Sequence, residues 1–504
     1  MTERSGGVPL FVEEVTRLLL ERGEQGGVQA IPPTLQQSLM ARLDRLGPAR
    51  EVAQIGAVIG RDFSYQLVRA VAGIDDAPLQ AALERLAEAD ILLVQGLPPE
   101  ADYRFKHALI QDAAYENLLK SRRQVLHRRV AEMLRSRVAA GAAAEPELLA
   151  HHFTQAGLTE DAIEWWGKAG QHSLERSALV EAAQQFTRAL ALIPALAPTP
   201  ALRREEIKMQ VAIIIPIMQV KGYAAPETKA AVERARLLIE QAEALGEPLE
   251  DPLLLSSVLY SSWAANYVAF DGDVVCELAA QSLMLAEKQR TRVPLMVGHR
   301  LMGTSLLIAG DVAAGRAHLD RALALYDSAA DRPIATRFGQ DVGVAILSYR
   351  SWALWTLGYP EAALADANSA VKEAREIAQA ASLMVALTIT AFTHTVCGNY
   401  ATVNMQSDEV VSLAGDKGAV MWKGLGTMNQ GNVIALTRKF SDAVQTISSG
   451  ITAWRSAGST IFLSWYFFEF GKSLCAVRKS RRCLALHRRS NDRGGNNKGK
   501  MVRS

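Results

Sequence analysis

The stretch FKHALIQDAAY (105–115) places His107, Asp112 and Tyr115 within about two helical turns. These residue types can relay a proton in general acid–base work. A plainer role fits them better: His107 opens a helix with Ala108, Ile110 and Ala114 turned inward, and the trio serves structure or coupling. His151 and His152 are adjacent. On a helix, neighbours point about 100° apart, and no third ligand stands in register, so a metal site is not expected. The segment GGNNKGKM (494–501) imitates a phosphate loop. A working loop reads GxxxxGK followed by a Ser or Thr whose hydroxyl holds magnesium, between a strand and a helix. Here Met501 stands in the hydroxyl position and only three residues follow it. No catalytic residue, metal or cofactor is therefore expected.

Basic chemistry concentrates in SRRQVLHRRVAEMLRSR (121–137), which sets Arg122, Arg123, Arg128, Arg129, Arg135 and Arg137 on one helix. Such a helix invites a nucleic-acid reading. The nearby acids Glu84, Glu88, Asp90, Glu100 and Asp102 favour a solvated face instead. Coupling or protein contact through His107, Asp112, Tyr115, Arg122, Arg123, Arg128 and Arg129 is the preferred role, and nucleic acid is disfavoured. The eight tryptophans fall mostly at positions expected to be core, with some available to line a concave binding groove.

The elements holding these residues read as helices. PLFVEEVTRLLLERG (9–23) is amphipathic, opened by Pro9, with Phe11, Val15, Leu18 and Leu19 on one face. TLQQSLMARLDRL follows the Pro pair at 32–33 and stops at Gly47 and Pro48. Three short helices are expected at 49–60, 63–73 and 78–89. Two short strands, ILLVQ (91–95) and YRFKH (103–107), lie behind them, a winged-helix-like order. One long helical stretch then runs from His107 to Arg137.

From about residue 145 a helix–turn–helix pattern recurs. Turn positions fall at Gly272, Gly310, Gly358, Gly398 and Arg438, spaced 38, 48, 40 and 40 residues apart. Small residues recur at matching offsets: Gly303 and Gly315, then Ala363, Ala367 and Ala370, then Gly431 and Ala443. Small residues let two helix backbones approach while bulky neighbours such as Leu319 and Ile447 fill the groove, which is how stacked hairpins form a solenoid.

Composition sets the limits. Of 504 residues, 49% are hydrophobic and only 6% aromatic, enough for two to four domains at about 150 residues each and favouring helix over sheet. The four cysteines (Cys276, Cys397, Cys475, Cys483) are far apart, which argues against a disulfide framework or zinc cluster and for a reducing compartment. No basic-then-apolar leader opens the sequence, and runs such as VAIIIPIMQV (211–220) fall short of the roughly 20 residues of a bilayer span. A soluble cytoplasmic protein is expected. The last 33 residues hold eleven Lys/Arg and one acid, against 44 Lys/Arg and 52 acids before them, so the tail is a separate object.

The runs GGVPLFVEEVTRLL (6–19), IPPTLQQSLMARLDRL (31–46), LERLAEADIL (83–92) and YRFKHALIQDAAYENLLKSRRQVLHRRVAEML (103–134) resemble a bacterial family. These are AAA-like signal-transduction ATPases with tetratricopeptide arrays, many carrying an adenylate/guanylate cyclase domain. The resemblance spans nearly all of 5–470. It implies the order catalytic modules, winged helix, repeats, and a chain that starts after the phosphate loop, the Walker B acid and the cyclase metal aspartates. In that family the 103–129 stretch belongs to the arm that responds to nucleotide state.

The expected fold is mainly α, a winged-helix-like segment followed by a tetratricopeptide-like α-solenoid. Its parts are a helical segment at 1–47, the winged-helix-like domain at 48–140, the repeats at 145–470, and a basic tail at 471–504 that is disordered or frameshifted. The expected function is a non-catalytic regulatory or scaffolding fragment of a signal-transduction ATPase or cyclase, binding protein partners through its repeats and making no membrane contact. The alternatives are a contribution in trans to an ATPase or cyclase complex, and a winged-helix transcription regulator.

Overall fold

A computed structural model of the protein describes residues 35–476, apart from 144, 248, 250, 438 and 439. The amphipathic segment at 9–23, the turn position Arg438 and the tail from 477 onward lie outside the described residues. The chain divides into two compact units between Trp166 and Gly167.

The first unit contains α1 (Leu35–Arg45), α2 (Ala49–Ile59), β1 (Asp62–Ser64), α3 (Tyr65–Ala72), α4 (Asp76–Glu88), β2 (Leu92–Gln95), β3 (Asp102–Phe105), α5 (Ala108–Glu116), α6 (Lys120–Ala139) and α7 (Pro146–Ala156). Three strands form an antiparallel sheet in the order β1-β3-β2, where two were expected. The added strand, Asp62–Ser64, pairs Phe63 with Tyr103. Sequence periodicity hides it because Ser64 also caps the next helix: Leu67 N–H donates to Ser64 Oγ at 3.3 Å. Phe63 is clamped between the rings of Tyr103 and Phe105, at 5.7 and 5.9 Å. A Cβ at Gly56 would stand 2.7 Å from the Phe63 ring, so α2 can bury this strand only with glycine there. The expected single helix over 107–137 is two. Asn117–Leu119 interrupt it, and α5 and α6 then turn Ile110, Ala113, Ala114, Leu126 and Val130 inward. Ala108, expected inside, is exposed.

α8 (Thr159–Glu175) crosses the division. The second unit continues with α9 (Leu179–Leu192), α10 (Pro200–Ala212), α11 (Ile214–Lys221), α12 (Pro226–Ala244), α13 (Leu253–Ala269), α14 (Gly272–Gln289), α15 (Arg292–Ala309) and α16 (Val312–Leu325). After the short α17 (Ser328–Asp331) and α18 (Ala335–Phe338) come α19 (Val342–Thr356), α20 (Pro360–Ile377), α21 (Ala380–Val396), α22 (Tyr400–Asp416), α23 (Val420–Leu436), α24 (Phe440–Ser456) and α25 (Leu463–Ala476). The protein is mainly α, and this unit is a stack of tetratricopeptide-like helical hairpins.

The hairpin turns follow the expected glycines. Gly310, Gly358 and Gly398 end their helices at φ of 96°, 88° and 75°, the left-handed region glycine tolerates. Gly272 is different: it begins α14, and Phe270, at φ 60°, makes the turn. The crossings are as tight as the small residues imply. A Cβ at Gly303 would meet the Gly315 carbonyl oxygen at 2.8 Å, and one at Gly431 would meet Ile447 at 2.5 Å.

The second unit also closes on itself. Between α24 and α25 the strap 457–462 returns to the first hairpins, with Thr460 and Ile461 N–H donating to the Val268 carbonyl at 2.8 and 3.1 Å. A Cβ at Gly222 would lie 2.7 Å from the Ala457 carbonyl oxygen. Trp422 Nε1–H donates to Gln219 Oε1 at 3.0 Å, joining residues 203 apart in sequence. Among the described residues no helix is long and apolar enough to cross a membrane.

Candidate functional site

The residues singled out for coupling do not form one site. His107 flanks the start of α5, with a buried Nε2 that has no hydrogen-bond partner. Asp112 is exposed, and no bond joins either residue to Tyr115 among the described residues. Tyr115 turns elsewhere: its hydroxyl lies 2.9 Å from His127 Nε2, and His127 Nδ1 lies 2.8 Å from Nδ1 of the buried His152. Two ring nitrogens that close must share one proton, so the two rings cannot both be cations. Burial, with the charges of His151 and Arg123, takes His127 down to about 4. Burial, with His127 and His151, takes His152 down to about 3. His151, one residue away, is exposed, as helical geometry requires. No group of three His, Cys, Asp or Glu among the described residues is placed to hold a metal.

The arginines of α6 are mostly engaged. Arg122 pairs with Glu51 at 2.8 Å and Arg128 with Glu132 at 3.1 Å. Arg135 pairs with Asp161 at 3.0 Å. Arg129 Nη1–H donates to the Val71 carbonyl at 3.4 Å, and Arg123 lies over the Tyr115 ring, 5.1 Å from its centroid. Charges neutralised within the chain offer little to a phosphate backbone.

The second unit holds a site the sequence reading missed. On α13, Tyr260, Trp263 and Tyr267 recur three and four residues apart and so share one face, with rings stacked at 6.3 and 4.9 Å. Tyr349 of α19, Trp422 of α23, Trp454 of α24 and the strap residues Ile461 and Phe462 face them around a cavity of about 40 Å³. Most polar edges of these rings are bonded, the buried Tyr267 hydroxyl being the exception. Trp263 Nε1–H donates to Ser305 Oγ at 2.9 Å, Trp454 Nε1–H to the Ile461 carbonyl at 3.0 Å, and Gln340 Nε2–H to the Tyr260 hydroxyl at 3.1 Å.

Into this chamber α15 projects Arg300, 1% exposed. Its guanidinium carbon lies 5.4 Å from the Tyr260 ring centroid and 5.5 Å from that of Trp263. Nε and Nη1 have no hydrogen-bond partner, and no acidic side chain lines the chamber. Cation–π contact with two rings returns about 2 kcal/mol each when desolvated. Burying an unpaired ion costs several kcal/mol, which that return only partly offsets. Burial holds the hydroxyls of Tyr223 and Tyr267 far above the ordinary tyrosine range, and the positive charge of Arg300 partly opposes this at both. The available signal was local. Arg300 sits in PLMVGHRLMGTSLLIA, with no acid between Glu287 and Asp311.

No family model matches the sequence. The chain is 29% identical over 398 residues to an uncharacterized protein of Rhizobium meliloti, taking in 76% of this chain but only 37% of that protein. It thus spans little more than a third of the relative's length. Among solved structures, a Signal Transduction ATPase with Numerous Domains carrying a tetratricopeptide repeat sensor, from Pyrococcus horikoshii, aligns with 90% of this chain and 68% of its own, at 11% identity and TM-score 0.35. A Rap protein complexed with competence and sporulation factor aligns with 65% of this chain and 88% of its own, at 11% identity and TM-score 0.43. The apo form of RapI aligns with 66% and 76%, at 12% identity and TM-score 0.26.

Proposed function

We propose that the protein is a non-catalytic sensor and scaffold: the repeat array receives a ligand or a partner segment, and the 48–140 region passes that state to an ATPase or cyclase module elsewhere in the polypeptide or complex. The observation that carries this reading is Arg300, a buried cation with no acid in the chamber around it, where the other polar groups, the Tyr267 hydroxyl apart, are bonded. A purely structural array has no use for that cost, whereas a receptor recovers it on binding. The helix–strand–helix–helix–strand–strand order from α2 to β3 supports a winged-helix-like region. The engaged arginines of α6 favour a protein-facing role for it over DNA binding.

Two measurements test the proposal. The purified chain is expected to show no ATP hydrolysis or cyclic-nucleotide formation above a mock preparation. Addition to the catalytic module encoded beside it is expected to change that module's turnover. Activity that survives repurification of the chain alone overturns the non-catalytic reading. An unchanged module overturns the regulatory one.

A further inference from the structure

We propose that the Arg300 chamber is a binding site for a carboxylate group carried on an apolar body. The inference rests on the receptor reading above and names the chemistry of what is received. A guanidinium has five N–H donors, and with Nε and Nη1 unpartnered three of them are unused on a side chain only 1% exposed. No acid lines the walls, so the neutralising charge must come from outside the chain. A cavity of about 40 Å³ admits a carboxylate head and a few atoms beyond it, not a nucleotide. A phosphate group would bring about two negative charges to one cation, with the N–H groups of Trp263, Trp454 and Gln340 already bonded elsewhere. A carboxylate brings one charge and a planar pair of acceptors that an arginine can meet with two N–H groups at once. The aromatic faces of Tyr267, Tyr349 and Trp454 suit an apolar body behind it.

The strap supplies the entrance. Ile461 and Phe462 cover the chamber, held by the two bonds to the Val268 carbonyl and by Trp454 Nε1–H to the Ile461 carbonyl. Phe462 itself has a left-handed φ of 66°, a conformation a bulky side chain holds only under constraint. Release of this short segment opens the chamber without unstacking a hairpin. The carboxylate can come from a free small acid or from the C-terminus of a peptide threaded under the strap.

The experiment uses the full chain in chloride-free buffer and follows tryptophan fluorescence, since Trp263, Trp422 and Trp454 line the site. The probes are acetate, 3-phenylpropionate, its neutral amide, chloride, phosphate, and a short apolar peptide with a free or an amidated C-terminus. A saturable change with 3-phenylpropionate, at least tenfold tighter than with its amide and lost in Arg300→Met, is expected. A free-ended peptide binding tenfold tighter than the small acid assigns the source to a chain terminus, and the reverse assigns it to a free metabolite. Equal responses to chloride or phosphate, or binding undiminished in Arg300→Met, overturn the proposal. If that variant fails to fold, protection of Arg300 in the native chain from phenylglyoxal by 3-phenylpropionate decides instead, and absence of protection counts against it. Loss of carboxylate binding while the catalytic module still responds to the chain rejects this inference alone and leaves the sensor reading standing.

Discussion

The two units handle buried polarity in opposite ways. In the first, Tyr115, His127 and His152 form a chain of bonds that ends at an unpartnered His152 Nε2, and burial keeps the rings neutral. In the second, Arg300 is at least as deeply buried, yet carries a charge no side chain answers. A histidine can shed its proton to suit an apolar setting; an arginine cannot. Sequestered histidines therefore report on stability, while a sequestered arginine reports on something missing.

The largest expected effect concerns the histidine chain. A folded-state pKa below the ordinary 6.5 means the unfolded chain takes up the proton first. The stability of the neutral pair is thus complete above about pH 7 and lost as pH falls toward 4 for His127 and 3 for His152. On the order of 3 kcal/mol for each ring disappears across that window. In a calorimetric scan resolving the two units, His127→Phe should flatten the pH dependence of the first unit's transition. An unchanged slope breaks the contrast on that side.

Next in size is the Arg300 chamber. Arg300→Met replaces an unanswered charge with an apolar side chain of similar length, so without ligand the second unit should gain about 2 kcal/mol. Its transition should move up by a few degrees in the same scan. A large loss of stability means the arginine is already compensated, and the two units are alike after all.

The smallest effect sharpens the surface side of the comparison. Arg122→Ala and Arg128→Ala remove exposed ion pairs and should each change stability by less than about 1 kcal/mol. Neither should alter retention of the chain on DNA at 150 mM salt, about the physiological level. A strong salt-dependent loss of retention would revive the nucleic-acid reading.

Legibility in the sequence followed the range of the interaction. The hairpin turns at Gly310, Gly358 and Gly398 were readable because one residue type is needed at one place. Arg290 and Ala378 adopt the same left-handed conformation between hairpins without being glycine, so those turns left no mark. The strand at Asp62–Ser64 was masked by its own helix cap. The bonding of Tyr115 was not readable: the ring facing it is His127, twelve residues on, across a break the periodicity did not show. The chamber was the least legible. Its walls come from residues 223 to 462, and no spacing rule connects Gln219 with Trp422.

The join between the strap and Val268 bears on how the second unit comes apart. An open stack of hairpins unravels from its ends, each repeat depending only on its neighbours. Fastening residues 457–461 to Gly222 and Val268 ties the run from α11 to α24 into a loop and leaves only α9, α10 and α25 outside it. The unit then behaves like a buckled belt, in which no single hairpin can peel away while the clasp holds. Assembly carries the matching burden. The clasp joins segments about 190 to 240 residues apart, so it must await synthesis of residues near 460 and closes slowly compared with the local hairpins. A chain stopped short of Ala457 would keep its hairpins and lose the all-or-none melting that the clasp enforces.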